Sequence, residues 1–312
     1  MRAIVAHRYG GPEVLELSEV PRPELVADHV SVRVIAAGTN PVDSECRSGK
    51  AAAWFDGAPY IWGWDVSGIV ESVGAEVTAF APGDEVYGMP RFPALAAAYA
   101  EYMSAPASEL APKPSRVDHI EAAALPLCGL TALQVLDLAG VVRGQRVLVN
   151  GAAGGVGHLA VQLAKARGAE VVGVARSVNH DFLRGIGADG LIDYTTTKVT
   201  GAVSDVDVLV DCVGDDGLLA VMRSGGVMAP VPGAAGGPGR LEELAKEFDV
   251  RVIRHVVRPD KPGLVRLANL VDAGRLAVDI DRTLPLADAA RAHELLTDRH
   301  GRGKIVLNVA AA

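Results

Sequence analysis

The sequence predicts an α/β protein in two parts, a β-rich domain with turns at its corners and a doubly wound parallel sheet. Three observations carry this. Hydrophobic residues make up 49 % of the chain and aromatics 4 %, so the core must be built from Ala, Val and Leu, as in sheets buried on both faces. The apolar period changes near residue 120 from short strands to alternating strands and helices. A glycine-rich loop then stands between one of those strands and a helix. A length of 312 residues suits about two domains.

The elements follow in order. Arg2–Ala6 and Val14–Leu17 flank a Gly10-Gly11-Pro12 turn, and Val30–Ala36 alternates apolar with polar residues. Ile69–Val73 and Glu85–Gly88 continue the pattern across Pro82-Gly83-Asp84. Helical spacing in Ile120–Leu125 and Leu130–Ala139 leads into the strand Arg146–Asn150. The next helix places Val156, Leu159, Ala160, Leu163 and Ala164 on one face, and the strand Val171–Ala175 follows. Strand signals recur at Val206–Val210, Gly226–Ala229 and Val250–Val256, which together indicate βαβ units. A helical stretch, Gly263–Ala273, a short strand-like piece and the amphipathic Ala287–Leu296 precede a last strand, Lys304–Val309. That last strand needs a sheet to join, and the β-rich N-terminal part is the host.

Charge and composition exclude several classes. A formal charge of −8 leaves no Lys/Arg excess to neutralise phosphates, so no nucleic-acid partner is expected. The opening residues reach a charge before a signal-length apolar run develops, and no stretch approaches the roughly 20 apolar residues of a membrane span. Cys46, Cys128 and Cys212 lie far apart with no CxxC, which speaks against a disulfide framework and a structural zinc lobe. A cytoplasmic setting without membrane partners is the expectation.

The strongest motif is Gly151-Ala152-Ala153-Gly154-Gly155-Val156-Gly157. A pyrophosphate needs backbone N–H groups with no Cβ in the way, at the positive end of a helix dipole. Gly151, Gly154 and Gly157 supply a tight turn, close phosphate approach and close helix–strand packing. The GxxGxxG spacing is one residue wider than the common GxGxxG, and by itself it reads equally as a Gly-rich turn. Strand, loop, helix and second strand within about 30 residues make it a dinucleotide site. At the end of the second strand an NAD site usually carries Asp or Glu. Here Arg176 and Ser177 stand there, able to hold a 2′-phosphate by charge-assisted hydrogen bonds, so NADPH is the expected cofactor. The alternative reading makes Arg176 a solvated loop residue.

Several segments carry a family resemblance over essentially the whole length. They are MRAIVAHRYGGPEVLEL at the start, AAGTNPVD at 37–43, GWDVSGIVESVG at 63–74, FAPGDEVYG at 80–88, AALPLCGLTALQ at 123–134, the GAAGGVG loop and GRGKIVLNV at 301–309. With these the chain resembles the medium-chain dehydrogenase/reductase superfamily, nearest its zinc-independent quinone oxidoreductase (zeta-crystallin-like) branch. The resemblance implies a GroES-like catalytic domain from residues 1–125 and 257–312, enclosing a Rossmann NADP(H)-binding domain at 126–256. It implies that Asn40 faces the nicotinamide and donates from its amide to a ligand oxygen, and that Thr131 approaches the nicotinamide ribose. Gly155 and Val156 present N–H groups to the phosphates, Tyr194 lies beside the adenosine phosphate, Val231, Pro232 and Gly233 line the cofactor, and Lys304 reaches it as well.

The zinc-dependent branch binds its metal through a Cys and a His at positions that here read Asn40 and Trp64. Cys128 stands where that branch often has a third ligand, and a single thiolate does not hold zinc against water. No metal is expected. Without a Lewis acid, alcohol oxidation is hard. Hydride addition to a quinone or α,β-unsaturated carbonyl is easier, because the charge delocalises onto an oxygen that hydrogen-bond donors stabilise. Several relatives carry Tyr two residues beyond the Asp of NPVD; this chain has Glu45, so no general acid is named.

Other candidates read more plainly. His158 is expected on a helix surface, and His180, His255, His293 and His300 in solvated segments. Asp43 and Asp65 are expected to accept structural hydrogen bonds. Trp54, Phe55, Tyr60, Trp62 and Trp64 form either a core under the loops or a wall for a flat substrate. The function read from all this is NADPH-dependent hydride transfer to a quinone or enone. An enoyl-thioester or biosynthetic-intermediate reductase and a non-catalytic NADPH-binding protein stand as alternatives. The oligomeric state is open, with a homodimer allowed.

Overall fold

The computed structural model describes residues 1–231, 239–297 and 301–310, and these divide into two compact units. One unit comprises Met1–Leu130, Arg258–Gly274 and the chain from Val278 onward; the other comprises Thr131–Val257 with Arg275–Ala277.

The first unit is built on strands. A small antiparallel pair, β1 (Arg2–Val5) and β2 (Glu16–Glu19), precedes the long β3 (His29–Gly38) and a short helix α1 (Pro41–Arg47). Strands β4 (Asp65–Val73), β5 (Glu85–Gly88), β6 (Tyr102–Pro106) and β7 (Leu110–Pro112) follow, then helices α2 (His119–Ala124) and α3 (Pro126–Ala139). Strand β3 earns its central place by alternation: Val30, Val32, Val34 and Ala36 are all buried. Helix α2 starts at Asp118, whose carboxylate accepts from the N–H of Glu121 while Glu121 returns the bond, a capping box read directly from D-x-x-E. Its Ala123 and Ala124 pack on Ala36 and Val306.

The second unit carries a six-stranded parallel sheet. Its elements are β8 (Arg146–Asn150), α4 (Gly155–Ala166), β9 (Glu170–Val174), α5 (His180–Gly185), β10 (Gly190–Ile192), β11 (Val206–Asp211), β12 (Met222–Pro230), α6 (Arg240–Glu247) and β13 (Arg251–Val252). The order is β10-β9-β8-β11-β12-β13, with every pair parallel. The order reverses at β8, and at such a switch point the carboxyl ends of the strands leave a crevice for a ligand. Near-continuous apolar strands fit this burial: Val147, Leu148, Val149, Val208, Leu209 and Val210 are at most 1 % exposed.

The chain then returns to the first unit through α7 (Lys261–Asp272), β14 (Ile280–Pro285), α8 (Ala289–Thr297) and β15 (Lys304–Asn308). The last strand joins the sheet of the first unit, antiparallel to β3 and parallel to β14, as its isolation in the sequence requires. Val306 pairs with Gly38, so β15 brings Lys304 beside the loop that follows β3.

Candidate functional site

In the second unit the glycine loop connects β8 to α4, and its three glycines have three different reasons. Gly151 has φ +77°, a left-handed conformation that side chains resist. A Cβ on Gly157 would stand 2.2 Å from the carbonyl oxygen of Gly151 and 2.8 Å from Cα of Ala152, so the helix packs on the loop backbone there. Gly154 differs. Its φ of −75° and ψ of 178° suit any residue, and an added Cβ would meet only the Gly151 oxygen at 3.4 Å. No other heavy atom would lie within 4 Å of that Cβ, so the packing around position 154 leaves room for a side chain.

Gly154 is also the N-cap of α4 and provides no side-chain cap. The first N–H groups of the helix, those of Gly155, Val156 and Gly157, lack intrahelical acceptors and point outward at the positive end of the dipole. The cradle is braced from beneath. His158 is fully buried, and its Nδ1 sits 2.8 Å from the Gly154 carbonyl, which makes that nitrogen the donor. This corrects the surface placement expected for His158: the ring turns back under the loop instead of out from the helix. Asn150 donates to Asp211 across β8 and β11 at 2.9 Å, and Asp211 also accepts from the N–H groups of Val213, Gly214 and Asp215. Those residues fix the carboxyl ends of the strands. Donors at a helix N-terminus and a loop cleared of Cβ atoms fit the pyrophosphate of a dinucleotide.

Arg176 follows β9 and meets the end of β10. Its Nε donates to the hydroxyl of Tyr194 at 3.1 Å, and Tyr194 is half exposed. The two expected phosphate neighbours thus share one corner. Ser177 lies there too, but its N–H donates to Asp193 at 2.9 Å and its side chain also engages that carboxylate. Asp193 accepts from the N–H and hydroxyl of Thr195 as well, and these hydrogen bonds hold its carboxyl below the usual range. Ser177 is therefore primarily a link between two loops. Thr131 is buried in α3 and Val231 follows β12, donating to the carbonyl of Asp211 at 2.8 Å. Pro232 and Gly233 lie outside the described residues.

In the first unit Asn40 is the N-cap of α1 and 1 % exposed. Its Nδ2 donates to Asp65 Oδ2 at 2.9 Å, and its Oδ1 accepts from Lys304 Nζ and, at 3.4 Å, from the Cys128 thiol. Lys304 is 3 % exposed, and its ammonium also contacts the Thr39 carbonyl at 2.8 Å, Asp65 Oδ2 at 3.4 Å and Cys128 Sγ at 3.4 Å. The N–H of Leu127 donates to the other Asp65 oxygen at 2.7 Å. Burial works against the lysine charge, yet Cys128, Asp65 and Asp43 around it outweigh that and raise its pKa above the ordinary value. The ammonium of Lys304, expected to reach a cofactor, is here engaged by four acceptors within the first unit.

A second buried network lies alongside. Asp43 accepts from the N–H of Asn40 at 2.7 Å and from the hydroxyl of Tyr99 at 2.8 Å, while its Oδ1 has no partner. Burial pushes its carboxyl up to about 7. Arg47 Nε donates to His293 Nδ1 at 3.1 Å, so the proton of His293 sits on Nε2, 3.3 Å from the Tyr99 oxygen. Burial, with the nearby Arg47 charge, lowers the His293 pKa to about 3. Both this neutral state and full burial overturn the solvated reading of His293. Sequence reasoning missed the network because α8 meets β6's approach only in space.

The aromatic cluster is mainly core. Trp62 and Trp64 are fully buried and Tyr60 is 4 % exposed, whereas Trp54 is 48 % exposed. Tyr60 stacks between Tyr9 and Trp62 at 4.9 and 5.0 Å. Among the described residues no three His, Cys, Asp or Glu side chains stand together as a metal site, and no helix is long and apolar enough to cross a membrane.

The switch-point crevice and the uncapped glycine cradle define a dinucleotide-binding α/β protein. Comparison with known proteins sharpens that class. Residues 26–115 match the model of the alcohol dehydrogenase GroES-like domain, and residues 186–307 match that of the zinc-binding dehydrogenase. The chain is 35 % identical, over 98 % of its length and 79 % of the relative's, to the chloroplastic NADPH-dependent alkenal/one oxidoreductase of Arabidopsis thaliana. The structure of a quinone oxidoreductase from Coxiella burnetii superposes with a TM-score of 0.94 at 36 % identity, covering 99 % of both chains. The Escherichia coli quinone oxidoreductase complexed with NADPH gives 0.89 at 28 % identity, over 99 % of this chain and 100 % of that one. The chain belongs to the medium-chain dehydrogenase/reductase superfamily, in its quinone oxidoreductase branch.

Proposed function

We propose that this protein is an NADPH-dependent oxidoreductase that transfers hydride to a quinone or an α,β-unsaturated carbonyl without a metal ion. The observation that carries the reading is the uncapped cradle at Gly154, where an added Cβ would meet only the Gly151 oxygen and the helix N–H groups are left for a ligand. The names of the relatives, an alkenal/one oxidoreductase and quinone oxidoreductases, support the acceptor class.

In this reading the Gly155, Val156 and Gly157 N–H groups bind the pyrophosphate, and Arg176 with Tyr194 binds the 2′-phosphate. Thr131, Val231, Pro232 and Gly233 are assigned to the cofactor's nicotinamide half. Bound NADPH supplies the hydride. Asn40 donates a hydrogen bond to the acceptor's oxygen as negative charge develops there. The domains follow the same division of labour: 126–256 binds cofactor, and 1–125 with 257–312 supplies the acceptor side.

Metal independence rests on charge. The Lys304 ammonium lies against Cys128, Asn40 and Asp65, and a divalent cation there would face a buried positive charge. Cys46, Cys128 and Cys212 take part in no disulfide, which suits a reducing cytoplasm.

The test is NADPH oxidation followed by absorbance against a panel of quinones, enones and simple alcohols. Turnover with quinones or enones is expected. Efficient alcohol oxidation with every quinone and enone inert would overturn the reading.

A further inference from the structure

The Asn40 amide lies between two fixed charges. A lysine ammonium only donates hydrogen bonds and a carboxylate only accepts them. Lys304 therefore takes the Oδ1 side and Asp65 the Nδ2 side, and the amide has one orientation. The Cys128 thiol donates to the same Oδ1, which strengthens that choice. An amide has two N–H bonds on Nδ2. One goes to Asp65, and the other takes no partner among the described residues. An ammonium at the carbonyl end draws electron density through the planar amide and makes the remaining N–H a stronger donor.

We propose that Lys304 is a positioning residue for hydride transfer: together with Asp65 it clamps the Asn40 amide so that one polarised Nδ2–H donates to the acceptor's oxygen. The inference rests on the reading of Asn40 as that donor. Lys304 itself touches neither acceptor nor cofactor; it acts through Asn40.

The clamp explains an otherwise costly arrangement. A buried ammonium and a buried carboxylate, 3 % and 0 % exposed on their side chains, are rarely worth their desolvation for stability alone. Here they lie 3.4 Å apart, with the amide of Asn40 touching both. The far larger sequence separation, 239 residues between Lys304 and Asp65, shows that the fold brings the two ends of the chain together at this amide.

The test compares wild type with K304M, K304R and the double variant K304M/D65N. K304M alone strands the Asp65 carboxylate and is expected to melt lower. The double variant removes both charges and keeps similar volumes. It is expected to fold and to melt above K304M, though below wild type, because the amide replacing the Asp65 carboxylate can accept from only one of the Leu127 and Asn40 N–H groups. Its dissociation constant for NADPH should be unchanged and its KM for the acceptor little altered. Its kcat should fall by about ten- to a hundredfold, less than the hundred- to thousandfold typical of deleting an oxyanion donor outright. K304R retains the charge and should recover part of kcat.

A second readout needs no turnover. The Asn40 side-chain amide, assigned in ¹H–¹⁵N spectra of the free protein by its loss in N40A, should move markedly in K304M/D65N. Wild-type kcat in a well-folded double variant, or an unmoved Asn40 amide, would overturn the proposal. Should wild type turn over no quinone or enone, the functional reading fails instead, and the amide resonance still reports whether the clamp exists.

Discussion

Gly154 and Gly157 offer a pair of substitutions whose effects on stability and binding should separate. In Gly154→Ala the new methyl meets the Gly151 oxygen at an ordinary 3.4 Å in a backbone conformation open to alanine. Restricting the unfolded chain stabilises by about 0.4–1 kcal/mol. Alanine is a poorer N-cap than glycine, by roughly 0.5–1 kcal/mol. The two nearly cancel, and with about 2–4 °C per kcal/mol for a chain of this size the melting temperature should move by less than about 2 °C. In Gly157→Ala the methyl would fall 2.2 Å from a backbone oxygen. The loop and helix must separate, at roughly 1–3 kcal/mol, or several degrees. Both variants should bind NADPH at least about tenfold more weakly, since about 1.4 kcal/mol of lost contact suffices. Differential scanning calorimetry and fluorescence titration with NADPH measure the two quantities. Gly154→Ala with wild-type melting and wild-type affinity would show that the open space at 154 is not the phosphate site.

Three further outcomes are expected. Arg176→Ala should weaken NADPH by about ten- to a hundredfold, the value of a charge-assisted hydrogen bond, and leave NADH nearly unchanged; equal losses in titrations of both would make Arg176 a bystander. Prolonged chelation should leave turnover intact, and elemental analysis should find far less than one zinc per chain. The buried Asp43 and His293 should give opposing pH slopes of stability. With its pKa raised to about 7, Asp43 binds a proton more readily folded than unfolded, so its contribution falls as pH rises from about 4 to 7. With its pKa lowered to about 3, His293 favours the folded state as pH rises from about 3 to 6.5. His293→Phe should therefore unmask a melting temperature that declines between pH 4 and 7, while Asp43→Asn should unmask one that rises; unchanged profiles in both would refute the assignment.

What was legible in the sequence was what is local. The alternation of β3, the apolar runs of β8 and β11 and the glycine loop each record their surroundings within a dozen residues. Short elements left no such trace: β10 is three residues long, and the expected strand at 250–256 contracts to Arg251–Val252 at the sheet edge, where pairing exists on one side only. Among the proposed site residues, the glycines and Arg176 stand out because a helix N-terminus and a strand end are sequence features. The partners of Lys304, namely Thr39, Asn40, Asp65 and Cys128, were not legible because they come from three distant segments. His158 was misplaced for a different reason: one face of a helix entering a glycine loop is covered by the loop itself.

The pairing of β15 with β3 has a consequence for how the chain is made. Val306 pairs in register with Gly38, a sequence separation of 268. On the ribosome, β3 finds β4 and β6 early, but its Ala36–Gly38 end waits for β15 while the whole of Thr131–Val257 is synthesised. The contiguous parallel sheet is free to form in that interval, as sequential folding of domains from the N-terminal side would not otherwise suggest. The β-rich unit closes last, because loop-closure entropy must be met before so distant a contact returns anything. A ribosome that stalls once the second unit has emerged but before Lys304 therefore releases a chain with a finished parallel sheet and an unpaired edge at the end of β3, a form prone to aggregation.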